Sequence, residues 1–140
     1  MQNFVNGKVE NGMTRNVITV HPDMSIHDLE LLFDEYQFNM FPVLENKELI
    51  GIVSQYDFLK AFIVFGTDLR NPRPYENIAQ ERTIRHIFSQ LVTVRAWHPL
   101  TYVLELMAQS SIHSFPVVDD DKQLVGVISR RDLIRLLKSQ

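Results

Sequence analysis

The strongest constraint on the fold is an internal repeat: residues 18–62 are followed by a second version at residues 92–137. Both copies contain "FPV". Both close on glycine, two β-branched residues, serine and, three places later, aspartate, in "GIVSQYD" (Gly51–Asp57) and "GVISRRD" (Gly126–Asp132). Because a repeat means that one structural unit is used more than once, the fold can be derived one copy at a time.

Each copy has the pattern strand, helix, strand, strand, helix. "ITV" and "VTV" are β-branched runs typical of short strands, and apolar residues then recur at helical spacing, after Ser25 in copy one. "FPVLE" and "LIGIVS" predict two strands joined by the turn "NKE", and "YDFLKAF" or "RRDLIRLLKS" predicts a closing helix. Since neither half looks large enough to stand alone, we expect an α/β (α+β) fold of two β-α-β-β-α repeats around a shared core.

The copies are separated by a segment with a different composition. We expect the first domain at residues 13–64, a linker at 65–82 and the second domain at 83–138. Gly66, Pro72 and Pro74 break regular structure in this linker, where "YENIAQ" favours a short helix.

Composition excludes several classes of function. The chain has 14 basic and 17 acidic residues, and a net charge of −3 gives no general attraction to nucleic acid or anionic membranes, so neither is an expected partner. It has no cysteine, which excludes disulfides and thiol catalysis. The beginning of the sequence lacks the apolar segment of a signal peptide, and the apolar run "AFIVF" is too short to cross a bilayer, so we expect a cytoplasmic protein.

The serine and aspartate that close each copy allow two interpretations. Ser54 with Asp57, and Ser129 with Asp132, have the spacing of a capping box that starts a helix. The same geometry suits a nucleotide, because a helix N-terminus attracts phosphate and a carboxylate can accept both protons of a ribose cis-diol. The residues alone leave both interpretations open.

Taken in order and twice over, these features resemble a tandem pair of cystathionine-β-synthase-type (CBS) domains, the Bateman module. The resemblance extends from Met13 to Lys138. It implies two repeats packed about a pseudo-twofold axis, with clefts between them that take AMP, ADP, ATP or S-adenosylmethionine. It also implies a homodimer that regulates an effector protein, as in energy sensing, and needs no cofactor of its own.

The resemblance further implies that both copies contribute to each cleft. One cleft would combine Ile52, Ser54 and Asp57 with Val92, Thr93, Ile112, His113 and Ser114. The other would combine Val127, Ser129, Arg131 and Asp132 with Ile18, Thr19, Phe38, Asn39 and Met40. The aspartates would hold ribose, the serines and helix starts the phosphate side, and the strand backbone with the residues before each proline would hold adenine. Arg130 and Arg131 favour the Asp132 cleft for phosphate, whereas His113 favours the other.

The sequence contains no pattern that indicates catalysis or a metal site. The five histidines show no HExxH motif or i, i+4 pair, and there is no P-loop or nucleophile with an evident base. We therefore expect no enzyme activity and no bound metal. The alternative to nucleotide sensing is a ligand-free module for dimerisation or interaction, with apolar side chains filling the clefts.

Overall fold

The computed structural model of the chain describes residues 2–66 and 75–139. Within these ranges the elements, in chain order, are α1 (Gln2–Val5), α2 (Ile26–Glu35), β1 (Met40–Glu45), β2 (Glu48–Ser54), α3 (Gln55–Gly66), α4 (Tyr75–Glu81), β3 (Val94–Arg95), α5 (Leu100–Ser110), β4 (Ser114–Val118), β5 (Leu124–Ser129) and α6 (Arg130–Lys138). Single 3₁₀ turns lie at Val9–Asn11 and Ile84–His86. No helix in these ranges is long and apolar enough to cross a membrane.

The chain forms two compact units whose boundaries differ from those of the sequence repeat. One, the first-copy unit, runs from Ile18 to Leu91. The other, the second-copy unit, combines the residues up to Val17 with those from Val92 onwards. The segment that precedes each copy in sequence therefore belongs to the unit built by the other copy. We call these two segments the lead-ins: residues 7–17 and 82–91.

In the first-copy unit, β1 and β2 form an antiparallel hairpin against which α2, α3 and α4 are grouped. The predicted turn "NKE" is a tight one, because Asn46 and Lys47 both have positive φ, 54° and 66°, as in the two-residue turns that suit the twist of a hairpin. Ser25 caps α2 as expected, its Oγ accepting a hydrogen bond from the backbone N–H of Asp28 at 3.0 Å.

The second-copy unit repeats this plan. Strand β4 pairs in parallel with β3 and antiparallel with β5, and α5 and α6 occupy the positions of α2 and α3 in the repeat. Helix α1 contacts α5, so the beginning of the chain is part of this unit. The mixed α+β fold expected from the sequence is confirmed.

Each unit has its own hydrophobic core, whereas the sequence predicted a single shared one. In the second-copy unit, Phe4, Val9 and Met13 join the core from the first lead-in and α1. In the first-copy unit, Ala79, Ile84 and Ile87 join it from α4 and the second lead-in. Each half is thus completed by apolar residues that lie outside the aligned repeat, which is why the repeat alone looked too small.

The predicted strands "ITV" and "VTV" are shorter than expected. In copy one only Val20 forms a bridge, taking a hydrogen bond from Leu44 and donating one to the Pro42 carbonyl. In copy two the strand starts at Val94 and includes Arg95. The physical reason is the proline of "FPV": the next parallel hydrogen bond towards Ile18 would need an N–H from Pro42, which proline lacks.

The predicted linker contains the expected short helix, α4. Ile78 and Ala79 of α4 are buried, so this part of the range 65–82 contributes to the first-copy unit. Residues 67–74, with the two prolines, lie outside the described residues.

Candidate functional site

In the first-copy unit, the junction between β2 and α3 forms a hydrogen-bonded network around one carboxylate. Asp57 Oδ2 accepts from the backbone N–H of Ser54 at 2.9 Å and from its hydroxyl at 3.1 Å. Ser54 Oγ in turn accepts from the Asp57 N–H at 3.1 Å. Asp57 Oδ1 accepts from the hydroxyl of Ser89 at 2.7 Å, and Lys60 Nζ is 3.9 Å from the same oxygen. The capping box is therefore present, and Oδ1 has two further partners, the Ser89 hydroxyl and the Lys60 ammonium group.

The second-copy unit repeats the network with different side chains at its edge. Asp132 Oδ2 accepts from the N–H and the hydroxyl of Ser129 at 2.9 and 3.0 Å. Thr14 Oγ1 donates to Asp132 Oδ1 at 3.3 Å, and Arg135 Nη2 lies 3.3 Å from that oxygen. Arg135 also donates to the carbonyl oxygen of Gly12 at 2.9 Å, which ties α6 to the lead-in.

Both carboxylates are buried. Asp57 is 1% exposed and Asp132 is 4% exposed. A buried ionised carboxylate needs several hydrogen-bond donors to offset the cost of leaving water, and each of these has a lysine or arginine nearby as well. The two aspartates are thus the centres of local polar networks and not merely the side chains that start a helix.

The N-termini of α3 and α6 are already largely occupied within each unit. The N–H of Gln55 donates to the Asn39 carbonyl at 3.0 Å, and the N–H of Arg130 donates to the His113 carbonyl at 2.8 Å. Each capping box uses two more backbone N–H groups, those of its serine and its aspartate. At the start of each helix this leaves one N–H group for an anion, that of Tyr56 in α3 and that of Arg131 in α6.

The structure brings together, inside each unit, residues that the sequence analysis assigned to different clefts. The first-copy unit contains Ile18, Thr19, Phe38, Asn39, Met40, Ile52, Ser54 and Asp57. The second-copy unit contains Val92, Thr93, Ile112, His113, Ser114, Val127, Ser129, Arg131 and Asp132. Met40 pairs with Ser54 across the first hairpin, and Ser114 pairs with Ser129 across the second. The grouping of residues from both copies into two clefts stays a prediction.

Sequence reasoning missed four residues of these networks: Thr14, Lys60, Ser89 and Arg135. A signal for two of them was present, because "NGMTRNV" and "RHIFSQL" each place a hydroxyl residue directly after an apolar one before the copy begins. The hydroxyl and the carboxylate it contacts are 118 residues apart in one copy and 32 in the other, so spacing gave no reason to connect them.

The first-copy unit also has an exposed charged cluster. Arg85 donates to Asp23 Oδ1 at 2.9 Å and to Glu45 Oε2 at 2.6 Å. These bonds lower the pKa of both carboxyls, and the carboxylates raise the pKa of Arg85. His21, Asp23 and Glu45 have potential ligand atoms within 4.8 Å of one another. Because the guanidinium already neutralises both carboxylates, the cluster is better described as an ion-pair network than as a metal centre.

At the matching place the second-copy unit carries aromatic residues. Trp97 is aligned with Asp23, is half exposed, and donates from Nε1 to Asp120 at 3.3 Å. Its ring centroid is 4.4 Å from that of His98, which is 4.4 Å from that of Tyr102. The pKa of His98 is lowered, first by burial and then by the charge of Arg95.

The fold and the repeated aspartate network define a tandem-repeat α+β protein with one equivalent polar centre in each unit. The family model described as "CBS domain" matches residues 7–64 and 84–139, and the chain belongs to the CBS domain family. The whole first lead-in, residues 7–17, falls inside the first matched range.

The chain is similar in sequence to other proteins and in fold to solved structures. The protein MJ0188 of Methanocaldococcus jannaschii is 34% identical over 128 residues, which cover 91% of this chain and 43% of that protein. The chain therefore spans less than half the length of this relative. The solved CBS domain pair of protein MJ0100 contains 5′-methylthioadenosine and S-adenosyl-L-methionine; it is 24% identical, covers 95% of this chain and 97% of its own, and has a TM-score of 0.76. CBSX2 in complex with AMP is 24% identical, covers 94% and 96%, and has a TM-score of 0.77. These structures establish the fold.

Proposed function

We propose that this chain is a regulatory module that binds an adenine-containing ligand, AMP, ADP, ATP or S-adenosylmethionine, in clefts formed jointly by its two repeats. The observation that carries the proposal is the pair of equivalent buried carboxylates, each at the end of a strand and the start of a helix. Structures of the same fold contain S-adenosylmethionine with methylthioadenosine in one case and AMP in another, which supports this class of ligand.

In this proposal Asp57 and Asp132 each accept hydrogen bonds from the ribose diol of one ligand. Of the residues predicted to line the clefts, the following are exposed and so available to a ligand: Thr19, Phe38, Val92, His113 and Arg131. With most helix-start N–H groups engaged, phosphate binding depends on side chains. We propose that the Asp132 cleft is the stronger phosphate site, since Arg130 and Arg131 are exposed where copy one has Gln55 and Tyr56.

We propose that a second copy of the chain is the partner through which the module assembles. Helix α3 carries an exposed apolar stripe of Tyr56, Leu59 and Ile63, which are 68%, 63% and 76% exposed. Residues at this spacing share one face of a helix, and contiguous apolar surface of this kind marks interaction sites. The effector protein and a cytoplasmic location stay predictions.

A second candidate function, a ligand-free interaction module, is favoured by the same stripe together with the burial of both carboxylates. In that case the two networks would serve only to start helices and to anchor the lead-ins. The two functions differ in one measurable respect, because only the sensing module binds a nucleotide through its aspartates.

Isothermal titration calorimetry with AMP, ADP, ATP and S-adenosylmethionine tests the proposal. We expect at least one ligand to bind with a Kd below about 1 mM, and Asp132→Asn or Asp57→Asn to weaken it about tenfold or more, because a ribose hydroxyl loses a charged acceptor. Asp34→Asn, the same charge change at an exposed position of α2, is the matched control and should bind as the wild type does.

Binding of none of the four ligands below the millimolar range would contradict nucleotide sensing and leave the interaction module. Equal weakening by Asp34→Asn would show that net charge, and not ribose recognition, sets the affinity. Circular dichroism melting of each variant separates lost binding from lost folding.

A further inference from the structure

Each lead-in places a hydroxyl group on the carboxylate oxygen that the capping box leaves available. Ser89 donates to Asp57 Oδ1 at 2.7 Å and Thr14 donates to Asp132 Oδ1 at 3.3 Å. The first distance is that of a charge-assisted O–H···O⁻ bond, and the second is beyond the usual range for hydroxyl donors. A lead-in hydroxyl therefore contacts both carboxylates, but the hydrogen bond to Asp57 is the stronger of the two.

The backbone fixes both hydroxyls in position. Ser89 exchanges two hydrogen bonds with Ile52 of β2, at 2.7 and 3.3 Å, and Thr14 exchanges two with Val127 of β5, at 2.8 and 2.9 Å. The repeated glycines make this approach feasible: a Cβ on Gly51 would lie 2.7 Å from the carbonyl oxygen of Ser89, and a Cβ on Gly126 would lie 2.9 Å from that of Thr14. The glycine of each motif therefore leaves the space in which the backbone of a lead-in packs against the strand.

Counting acceptor sites shows what a ribose would encounter. A carboxylate oxygen accepts about two hydrogen bonds. Asp57 Oδ2 already takes two from Ser54, and Oδ1 takes one from Ser89. A cis-diol that donates two hydrogen bonds finds one remaining position on Oδ1, which Lys60 Nζ approaches to 3.9 Å. If both hydroxyls of the diol are to donate to Asp57, one internal donor must leave. Ser89 is the donor that comes from the lead-in and not from the capping box itself.

We propose that Ser89 and Thr14 are internal competitors for the ribose: their hydroxyls occupy the carboxylates in the free protein and are displaced when a ribose diol binds. This inference rests on the proposed function and adds its regulation. Ser89 lies two residues before the unit boundary at Leu91, and Thr14 lies three before the one at Val17. Displacement therefore acts on the segments where the chain passes from one unit to the other.

The two competitors also set an order of binding. Ser89 forms the shorter bond and Asp57 is the more buried carboxylate, whereas Thr14 forms a long bond. Arg135, which contacts both Asp132 and the Gly12 carbonyl, keeps that lead-in in place when Thr14 leaves. The Asp132 centre accepts a ribose first, and the Asp57 centre follows at higher ligand concentration.

Removing the competing hydroxyl tests the proposal. Calorimetry compares the wild type, Ser89→Ala and Thr14→Val with AMP and with 2′,3′-dideoxy-AMP, which has no diol. We expect Ser89→Ala to tighten AMP binding at the weaker centre about tenfold, the equivalent of one hydrogen bond to a charged group, and to leave the dideoxy ligand unchanged. Thr14→Val should produce a smaller gain, because its bond is longer.

A second measurement follows the lead-in directly. Hydrogen exchange of the Ser89 amide, which donates to the Ile52 carbonyl, should become faster when AMP fills the Asp57 centre of the wild-type protein. Weaker AMP binding by Ser89→Ala, or an equal change for both ligands, would overturn the competitor role while leaving nucleotide sensing intact. If AMP binds neither the wild type nor the variants, both proposals fail.

Discussion

At the scale of single residues, Asp57 and Asp132 make more contacts than their local sequence motif predicts. As the acidic members of capping boxes they would contribute about 1 kcal/mol each to stability. In the structure each is buried and accepts hydrogen bonds from a second segment of the chain, so its removal leaves several buried donors without an acceptor. The Ser-x-x-Asp spacing was readable from the sequence, whereas the pairing of its aspartates with Ser89 and Thr14 was not, because nothing local links these hydroxyls to the motif.

His98 provides a prediction about pH at the same scale. Its Nδ1 accepts from the Arg95 N–H at 2.9 Å, and burial, with the Arg95 charge, lowers its pKa. The unfolded state therefore binds more protons than the folded state just below the ordinary pKa of about 6.5. The contribution of neutral His98 is complete above that value, and we expect it to be lost as the pH falls from 6.5 towards the lower folded pKa.

The variant His98→Asn isolates this effect, since its side-chain oxygen can accept the same hydrogen bond without titrating. We expect the free energy of unfolding, measured by urea denaturation, to decrease less for the variant than for the wild type between pH 6.5 and pH 5. Parallel curves for the two proteins would contradict the assignment, and NMR titration of the imidazole gives the folded pKa independently.

At the scale of elements, the lead-ins explain why the glycine of the repeated motif stands where it does. Each lead-in lies antiparallel to the last strand of a unit, as isolated bridges between Thr14 and Val127 and between Ile52 and Ser89. The helices and the hairpins followed from periodicity, turn residues and caps, all of which act over a few positions. The lead-in bridges join segments distant in sequence, and the pattern of a lead-in, taken alone, is indistinguishable from that of a loop.

Gly51→Ala tests this role of the lead-in. The new Cβ would meet the Ser89 carbonyl oxygen at 2.7 Å, and the Phe88 ring still closer, so the backbone of the lead-in must shift. We expect a loss of about 1–3 kcal/mol in the free energy of unfolding, the usual cost of overpacking. Gly12→Ala is the control, because the nearest atoms that its Cβ would meet belong to the side chain of Leu136, which can move. A loss for Gly51→Ala no greater than for the control would contradict the explanation.

At the scale of the whole molecule, the two units differ in the surface of their closing helices. Positions aligned with Tyr56, Leu59 and Ile63 of α3 hold Arg131, Ile134 and Lys138 in α6. The exposed face is therefore apolar in one unit and mainly basic in the other. The proposed self-association is assigned to the apolar face, where no like charges have to be brought together.

Ile63→Lys converts one position of the apolar stripe to the residue found in copy two. Because Ile63 is 76% exposed, the fold should tolerate the change. We expect the wild type to sediment as a dimer and the variant to dissociate at least tenfold more readily, since a buried lysine charge must be desolvated. Leu31→Lys, at an exposed apolar position of α2 outside the stripe, is the matched control. A monomeric wild type, or equal weakening by both variants, would contradict the assignment.

The sequence by itself determined the internal repeat, because two segments of one chain can be compared directly. It also determined the order of the helices and strands, the hairpin turns and the Ser-x-x-Asp caps, because each of these depends on residues only a few positions apart. Only the tertiary structure decided that each copy is completed by the other copy's lead-in, that α4 belongs to a core, and that Ser89 and Thr14 donate to the two buried carboxylates. Those contacts join segments far apart in the chain. Their energy comes from apolar burial and from satisfying a desolvated charge, and neither leaves a periodic trace in the sequence.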